Sequence, residues 1–308
     1  MGTNYTIKII KPPEELDRDF IEKEVWATLS QIDELMSSYK ANSEVSRFNQ
    51  FQEHGWFTVS ADTFLVMELA QKVSELSHGS FDVTVAPLIE IWGFGTEVTG
   101  DVIPTDEMIQ RTLQKIGYNN LLLDPSRSAI KKNKPLTVNL SAIAKGYAVD
   151  KVAERLVSLN LNSFLIEVGG EVWAKGLKQD QQPWRIAVES PLVSHVSHNR
   201  VQKIIDVSGV GVATSGDYRN YFEKEGRRYS HTIDPTTGKP VQHNLVSVTV
   251  VDQSTARADA WATALLVMGL ERGMVVAEEN DLAVFFIVKE KAGFMESMTK
   301  NFEQYLTH

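Results

Sequence analysis

The chain has 308 residues, 43% of them hydrophobic and 23% charged, with a formal net charge of −9. That is ordinary globular composition, enough for one large domain or two intimately packed ones, and its acidity argues against a duplex nucleic-acid surface, which needs clustered Lys and Arg to displace counterions. With no cysteine, disulfides, thiolate metal sites and a cysteine nucleophile are excluded, while the redox compartment stays open.

The opening "MGTNYTIKII" lacks the basic n-region and apolar h-region of a signal peptide, and alternates as a strand does. "PPEELDRDFIEKEVWATLSQIDELMSSY" follows, with Leu16, Phe20, Ile21, Val25, Ile32 and Leu35 at helical spacing behind a proline start. Ser60 is placed to cap a second helix that ends at Gly79, suited to a C′ position, and Thr105 a third that stops at Gly117. Between them, "FDVTVAPLIEIWGFG" reads as a buried extended stretch leading into an aromatic, glycine-rich loop.

The second half is richer in strand: "SFLIEV", "WRIAVE", "VQKIIDVSG", "LVSVTVVD" and "LAVFFIVK" are β-branched and aromatic between polar turns. Helices are expected over 145–159, 255–269 and 271–279. The longest apolar runs, such as "DLAVFFIVKE", fall short of the roughly 20 residues that cross a bilayer. Strands and helices do not alternate regularly, so the expected class is α+β with mixed or antiparallel sheets and flanking helices, in a single domain over 1–308.

Four polar, glycine-punctuated stretches are candidates for chemistry. In "SAIAKGYAVD", Lys145 stands at a helix start, where free N–H groups and an ammonium attract phosphate oxygens. GxxxxGK[ST] is absent, so this is no P-loop; the plainer alternative is a solvated Lys145 with Asp150 on the exposed helix face. In "GVATSGDYRNYF", Thr214, Ser215 and Gly216 precede an expected short helix holding Tyr218 and Tyr221, either as anion donors or as a cap. In "RRYSHTIDPTTGKPV", His231 adjoins a D-P-T-T-G turn, as a general base or as a loop anchor. In "STARADAWATALLVMG", Trp261, Leu265, Leu266 and Met268 form the core side. There Asp259 and Thr263, four apart, share a face, either as oxygen ligands suited to Mg²⁺ or as an acidic first turn and a back-bonding threonine.

Taken in order, "MGT", "SSYKANSEVSRFN", "FDVTVAPLIEIWGFG", "SAIAKGYAVD", "IEVGGE", "TSGDYRNYF", "HTIDPTTGKPV" and "ADAWATALLVMG" resemble the ApbE-type flavin transferases. The resemblance runs from residue 1 to about residue 289. It implies an α+β fold with an FAD cleft between its two halves and Mg²⁺ near the pyrophosphate. The activity it implies is transfer of FMN from FAD to a Thr or Ser hydroxyl of a target flavoprotein, releasing AMP. Acceptors of this kind are subunits of sodium-pumping NADH:quinone reductase or electron-transport complexes. The implied setting is the periplasmic side of the inner membrane with a lipid anchor on the precursor; the alternative is cytoplasmic.

Carried over residue by residue, the resemblance makes Lys145 an FAD contact that adds positive charge during catalysis. Ala142, through its carbonyl, Asp259 and Thr263 become metal ligands. Met1, Tyr39, Ser80, Phe81, Asp82, Asn139 and Ile233 line the FAD site, and His231 accepts the proton of the incoming hydroxyl. Two positions depart from the pattern: Asn139 replaces a common aspartate, and Ala262 stands where some relatives carry another acid. The rivals are an FAD pyrophosphatase using water at the same site, and a flavin carrier without turnover. Tyr39 matches transferring relatives. A dehydrogenase is disfavoured because no GxGxxG follows a strand.

Overall fold

The computed structural model describes residues 2–52, 55–95, 102–189, 201–216, 221–224, 226–291 and 293–307. In chain order, β1 (Tyr5–Ile9) precedes α1 (Arg18–Met36), α2 (Glu44–Gln50), β2 (Phe57–Thr58), α3 (Ala61–Leu76), α4 (Ala86–Ile91) and α5 (Asp106–Leu113). The hairpin β3 (Leu121–Asp124) and β4 (Ala129–Lys132) leads to α6 (Ala144–Ser158), then β5 (Phe164–Val168), β6 (Glu171–Lys175), β7 (Trp184–Glu189), β8 (Val201–Val207) and β9 (Val210–Gly216). Short pairs β10 (Tyr221–Lys224) with β11 (Arg227–Ser230), and β12 (Ile233–Asp234) with β13 (Lys239–Pro240), precede β14 (Leu245–Asp252). The chain closes with α7 (Thr255–Met268), α8 (Leu270–Glu279), β15 (Ala283–Glu290), β16 (Gly293–Met298) and a 3-10 turn over Lys300–Tyr305.

A seven-stranded antiparallel sheet, ordered β1-β5-β6-β9-β14-β15-β16, forms the frame. Both its faces are covered, which explains the continuous apolar run of β15. Val284, Phe286 and Val288 face a core with Trp261 and Leu265 of α7, while Ala283, Phe285 and Ile287 face Trp184, Ile205 and Phe302 on the other side. A period of two then reads as unbroken hydrophobicity. The class is the expected α+β, and every strand pair among the described residues is antiparallel.

Several local expectations hold. Ser60 and Thr105 cap α3 and α5 by accepting the N–H groups of Thr63 and Met108. The proline pair does not open α1; Asp17 caps it, accepting from Phe20 N–H at 2.7 Å. Gly79 sits one residue beyond the expected C′ position, because His78 already takes a positive φ of 53° and the Gly79 N–H closes back on the Ser74 carbonyl.

Three readings are corrected. Residues 82–85 are a turn, not an extended stretch, because Asp82 Oδ1 accepts both the N–H (2.7 Å) and hydroxyl (2.6 Å) of Thr84 and closes the chain locally. Thr214–Gly216 end strand β9 instead of opening a helix; Thr214 pairs with Thr249 of β14, their hydroxyls 2.8 Å apart. Tyr221 likewise begins a strand, and Tyr218 lies outside the described residues. Helix α7 is not two-faced: nearly every position is buried, Asp259 included, since it lies between the sheet and helices α3 and α6.

Candidate active site

The site is built where α6 and α7 begin. Their starts pack so closely that a Cβ at Gly146 would collide with the Thr255 carbonyl, and one at Gly211 of β9 with the Thr255 hydroxyl. This contact explains the glycine after the lysine: it permits two helix starts to touch.

Each helix start is capped by a carboxylate from the other helix. Asp150 of α6 accepts from Ser254 Oγ (2.8 Å), Thr255 N–H (2.7 Å) and Ala256 N–H (3.0 Å) at the beginning of α7. In return Asp259 Oδ2 accepts the Gly146 N–H at 3.1 Å. Asp150 therefore does not stand on a solvated face. Burial raises its pKa, against the opposing pull of the Ala256 and Thr255 donors.

The second cap has a consequence for Ala142. Gly146 is the third residue of α6, so its N–H is one of those that a helix start leaves without an intrahelical partner. Here it goes to Asp259, and among the described residues no backbone N–H donates to the Ala142 oxygen. That carbonyl is left over at the wall of a cleft of about 400 Å³, which Asp259 and Thr263 also line.

Lys145 points its ammonium at carboxylates: Nζ lies 2.6 Å from Glu171 Oε1 and 3.5 Å from Asp259 Oδ1. Burial disfavours its charge, but Asp259 and Glu171 outweigh that and raise its pKa. Burial together with the Asp259 charge pushes the Glu171 carboxyl up to about 8, against the pull of Lys145. Two buried acids thus share one ammonium, and among the described residues Glu171 Oε2 has no hydrogen-bond partner. Adjacent stand the Thr263 and Ser215 hydroxyls, 3.1 Å apart.

This concentration of oxygen donors suits a hard cation, whose charge would offset the repulsion that raises the Glu171 pKa. Among the described residues no group of three His, Cys, Asp or Glu side chains could hold a metal. The donors on offer are a carboxylate, a hydroxyl and a main-chain carbonyl, the oxygen ligands that Mg²⁺ takes while keeping several waters.

The rest of the cleft comes from both halves of the chain. Ser80, Phe81, Asp82, Asn139 and Ile233 line it with His231. The carboxylate of Asp82 is spent on the Thr84 turn and on Tyr118 N–H (3.0 Å), and Asn139 Oδ1 on Ser141, so these two side chains shape the wall. His231 lies between β11 and β12, half-buried, its ring 6.3 Å from that of Phe94 and edge-on to it. Asp234 secures the loop beyond by accepting from Thr236 N–H at 2.8 Å and from the Thr237 hydroxyl at 3.1 Å.

Every expected site residue lines this one cleft except two. Met1 lies outside the described residues. Tyr39 follows α1, is 78% exposed and is not part of the cleft wall. Glu171 was missed as a site residue. The available signal was its place directly after the Gly169–Gly170 turn, whose φ values of 63° and 103° carry the chain from β5 back into β6.

Residues 1–286 match the model of the ApbE family. The chain is 46% identical over 308 residues to the FAD:protein FMN transferase of Vibrio cholerae serotype O1, covering all of this chain and 91% of that protein. The corresponding protein of Haemophilus influenzae is 38% identical, over 99% of this chain and 89% of its own length. The solved flavin transferase ApbE of Vibrio cholerae superposes with a TM-score of 0.91 at 44% identity, over 99% of this chain and 96% of that one. The apo flavinyl transferase ApbE of Pseudomonas stutzeri gives 0.90 at 40% identity, over 99% and 94%.

Proposed function

The chain belongs to the ApbE family, and from that premise we propose that it is an FAD:protein FMN transferase. It moves FMN from FAD to a threonine or serine hydroxyl of a flavoprotein acceptor and releases AMP. The observation that carries this reading is the pair of buried acids, Asp259 and Glu171, on the Lys145 ammonium beside the Ala142 carbonyl, in one cleft with His231. Acceptors of the proposed kind are subunits of sodium-pumping or other electron-transport complexes, met on the periplasmic side of the inner membrane.

In the reaction the acceptor oxygen forms a bond to the phosphorus of the FMN moiety. The bond from that phosphorus to the bridging oxygen breaks, and AMP departs with the electron pair. His231 takes the acceptor's proton, the role for which a neutral imidazole at the cleft wall is suited. The Lys145 ammonium, steadied by Glu171, offsets charge growing on the phosphoryl oxygens. Asp259, Thr263 and the Ala142 carbonyl would hold Mg²⁺, whose contribution when bound is to polarise the diphosphate. Phe81 and Ile233, both buried, give the cleft apolar surface against which a flavin or adenine ring can rest.

Water in place of the hydroxyl would yield FMN and AMP. The observation favouring that second reading is Tyr39, which stands in solvent away from the wall. Incubation with FAD and Mg²⁺, with and without an acceptor protein, separates the possibilities. A transferase labels the acceptor with flavin and releases AMP in step, a hydrolase releases AMP without acceptor, and a carrier releases none.

A further inference from the structure

A second pocket, of about 440 Å³, opens beside the cleft and is lined by Lys115, Lys132 and Lys134 with Asn49, Asn133 and Thr137. Among the described residues no carboxylate lines it, in a chain whose net charge is −9. Two of the ammonium groups are fixed by main-chain carbonyls: Lys132 Nζ lies 2.9 Å from Asn49 O, and Lys134 Nζ 2.8 Å from Gln114 O. Lys132 also lies over the Phe48 ring, 4.8 Å from its centroid, and burial lowers its pKa. Each ammonium carries three donors, so the one bond to a carbonyl leaves Lys132 and Lys134 donors for an incoming anion.

The pocket and the cleft lie along one strip of chain. From 136 to 140, burial alternates: Leu136, Val138 and Leu140 point inward, whereas Thr137 and Asn139 point outward. Thr137 lines the basic pocket and Asn139 the cleft, so two outward-facing residues of one strip, roughly 7 Å apart at an extended rise per residue, each line one of the openings. Asn49 clamps the strip by bonding both the N–H (2.7 Å) and the carbonyl (2.8 Å) of Val138. Pro87 lines the pocket, while Val85 and Ile89, on either side of it in α4 and its cap, line the cleft. The Lys134 charge reaches Asp82 in the cleft wall.

We propose that this basic pocket docks an acidic stretch of the acceptor protein, next to the hydroxyl that enters the cleft. The inference rests on the transferase reading and adds the chemistry of its partner. An acidic enzyme repels an acidic partner at long range, and a local patch of opposite sign beside the reacting site reverses that and sets the register of approach.

The test uses two synthetic peptides, each carrying one threonine, flanked by aspartates in one and by lysines in the other. Binding is read by fluorescence anisotropy at low and high salt, and transfer by peptide mass and AMP. The wild type is expected to bind the aspartate peptide about tenfold or more tightly than the lysine peptide at low salt, with the preference fading as salt rises. The combined Lys115→Gln, Lys132→Gln and Lys134→Gln variant removes the three charges and leaves a polar side chain at each position. It should lose the preference while retaining FAD affinity, and the matching Lys→Arg variant should keep it. Equal binding of both peptides by the wild type, or a preference surviving in the glutamine variant, overturns the proposal. So does loss of FAD affinity in that variant, which would assign the pocket to the dinucleotide. Capture of phosphatidylglycerol vesicles by these lysines without any peptide preference overturns it as well. Because anisotropy needs no turnover, failure of the transferase reading shows separately, as absent AMP with intact peptide preference.

Discussion

Lys145 illustrates how a residue's partners decide its role. A lysine at a helix start suggests an ammonium waiting for phosphate, but its ammonium is already held between Glu171 and Asp259. The pair of acids marks the position, because burial and the Asp259 charge hold the Glu171 carboxyl towards its neutral form, and a further cation would relieve that repulsion. Asp259→Ala should therefore remove Mg²⁺-dependent thermal stabilisation and AMP release together, with an unchanged circular dichroism spectrum. Mg²⁺ raising the melting temperature of that variant as it does the wild type's would refute the assignment. Asp150 gives a pH signature of its own. Its folded pKa is raised, so its contribution is complete below the unfolded value of about 3.9 and is lost as pH rises through the folded value. Asp150→Asn should flatten the decline in stability above about pH 4. Urea titrations across that range measure the slope, and one as steep as the wild type's would contradict the sign.

At the scale of elements, the reciprocal capping of α6 and α7 aligns the two helices that carry the cluster. Gly146→Ala forces its methyl into the Thr255 carbonyl, a backbone atom that cannot swing aside, and is expected to cost about 1–3 kcal/mol in denaturant unfolding. A change near zero would show that the helix starts are free to part. What was legible in the sequence at this scale was local chemistry: Ser60 and Thr105 as caps, Asp259 and Thr263 four apart on one helix face, His231 beside its turn. What was not legible depended on tertiary partners. Asp82 turns a β-branched stretch back through hydrogen bonds that strand propensity ignores. Thr214 joins a strand because β14 lies beside it. The burial of α7 on all sides, and of Asp150 and Glu171 with it, follows from neighbours more than 80 residues away along the chain or across the sheet, which periodicity within one segment does not register.

For the whole molecule, the antiparallel sheet supports the helices from beneath, and the cleft gathers residues from 80 to 89, 139 to 145, 169 to 171, 214 to 216 and 231 to 267. No single segment could make it, which is why eight weak motifs in order identified the family better than any one of them. In the proposed reaction the cleft's acidic cluster, the His231 wall and the neighbouring basic pocket would divide the labour: cation and diphosphate, proton, and partner. The most direct measurement is a timed incubation of the protein with FAD, Mg²⁺ and a flavoprotein acceptor, following AMP by chromatography and acceptor mass in parallel. The account predicts AMP and FMN-labelled acceptor rising in equal amounts, both abolished by chelation of the metal. AMP release that proceeds undiminished in excess chelator, or an acceptor that never gains the mass of FMN, would contradict it.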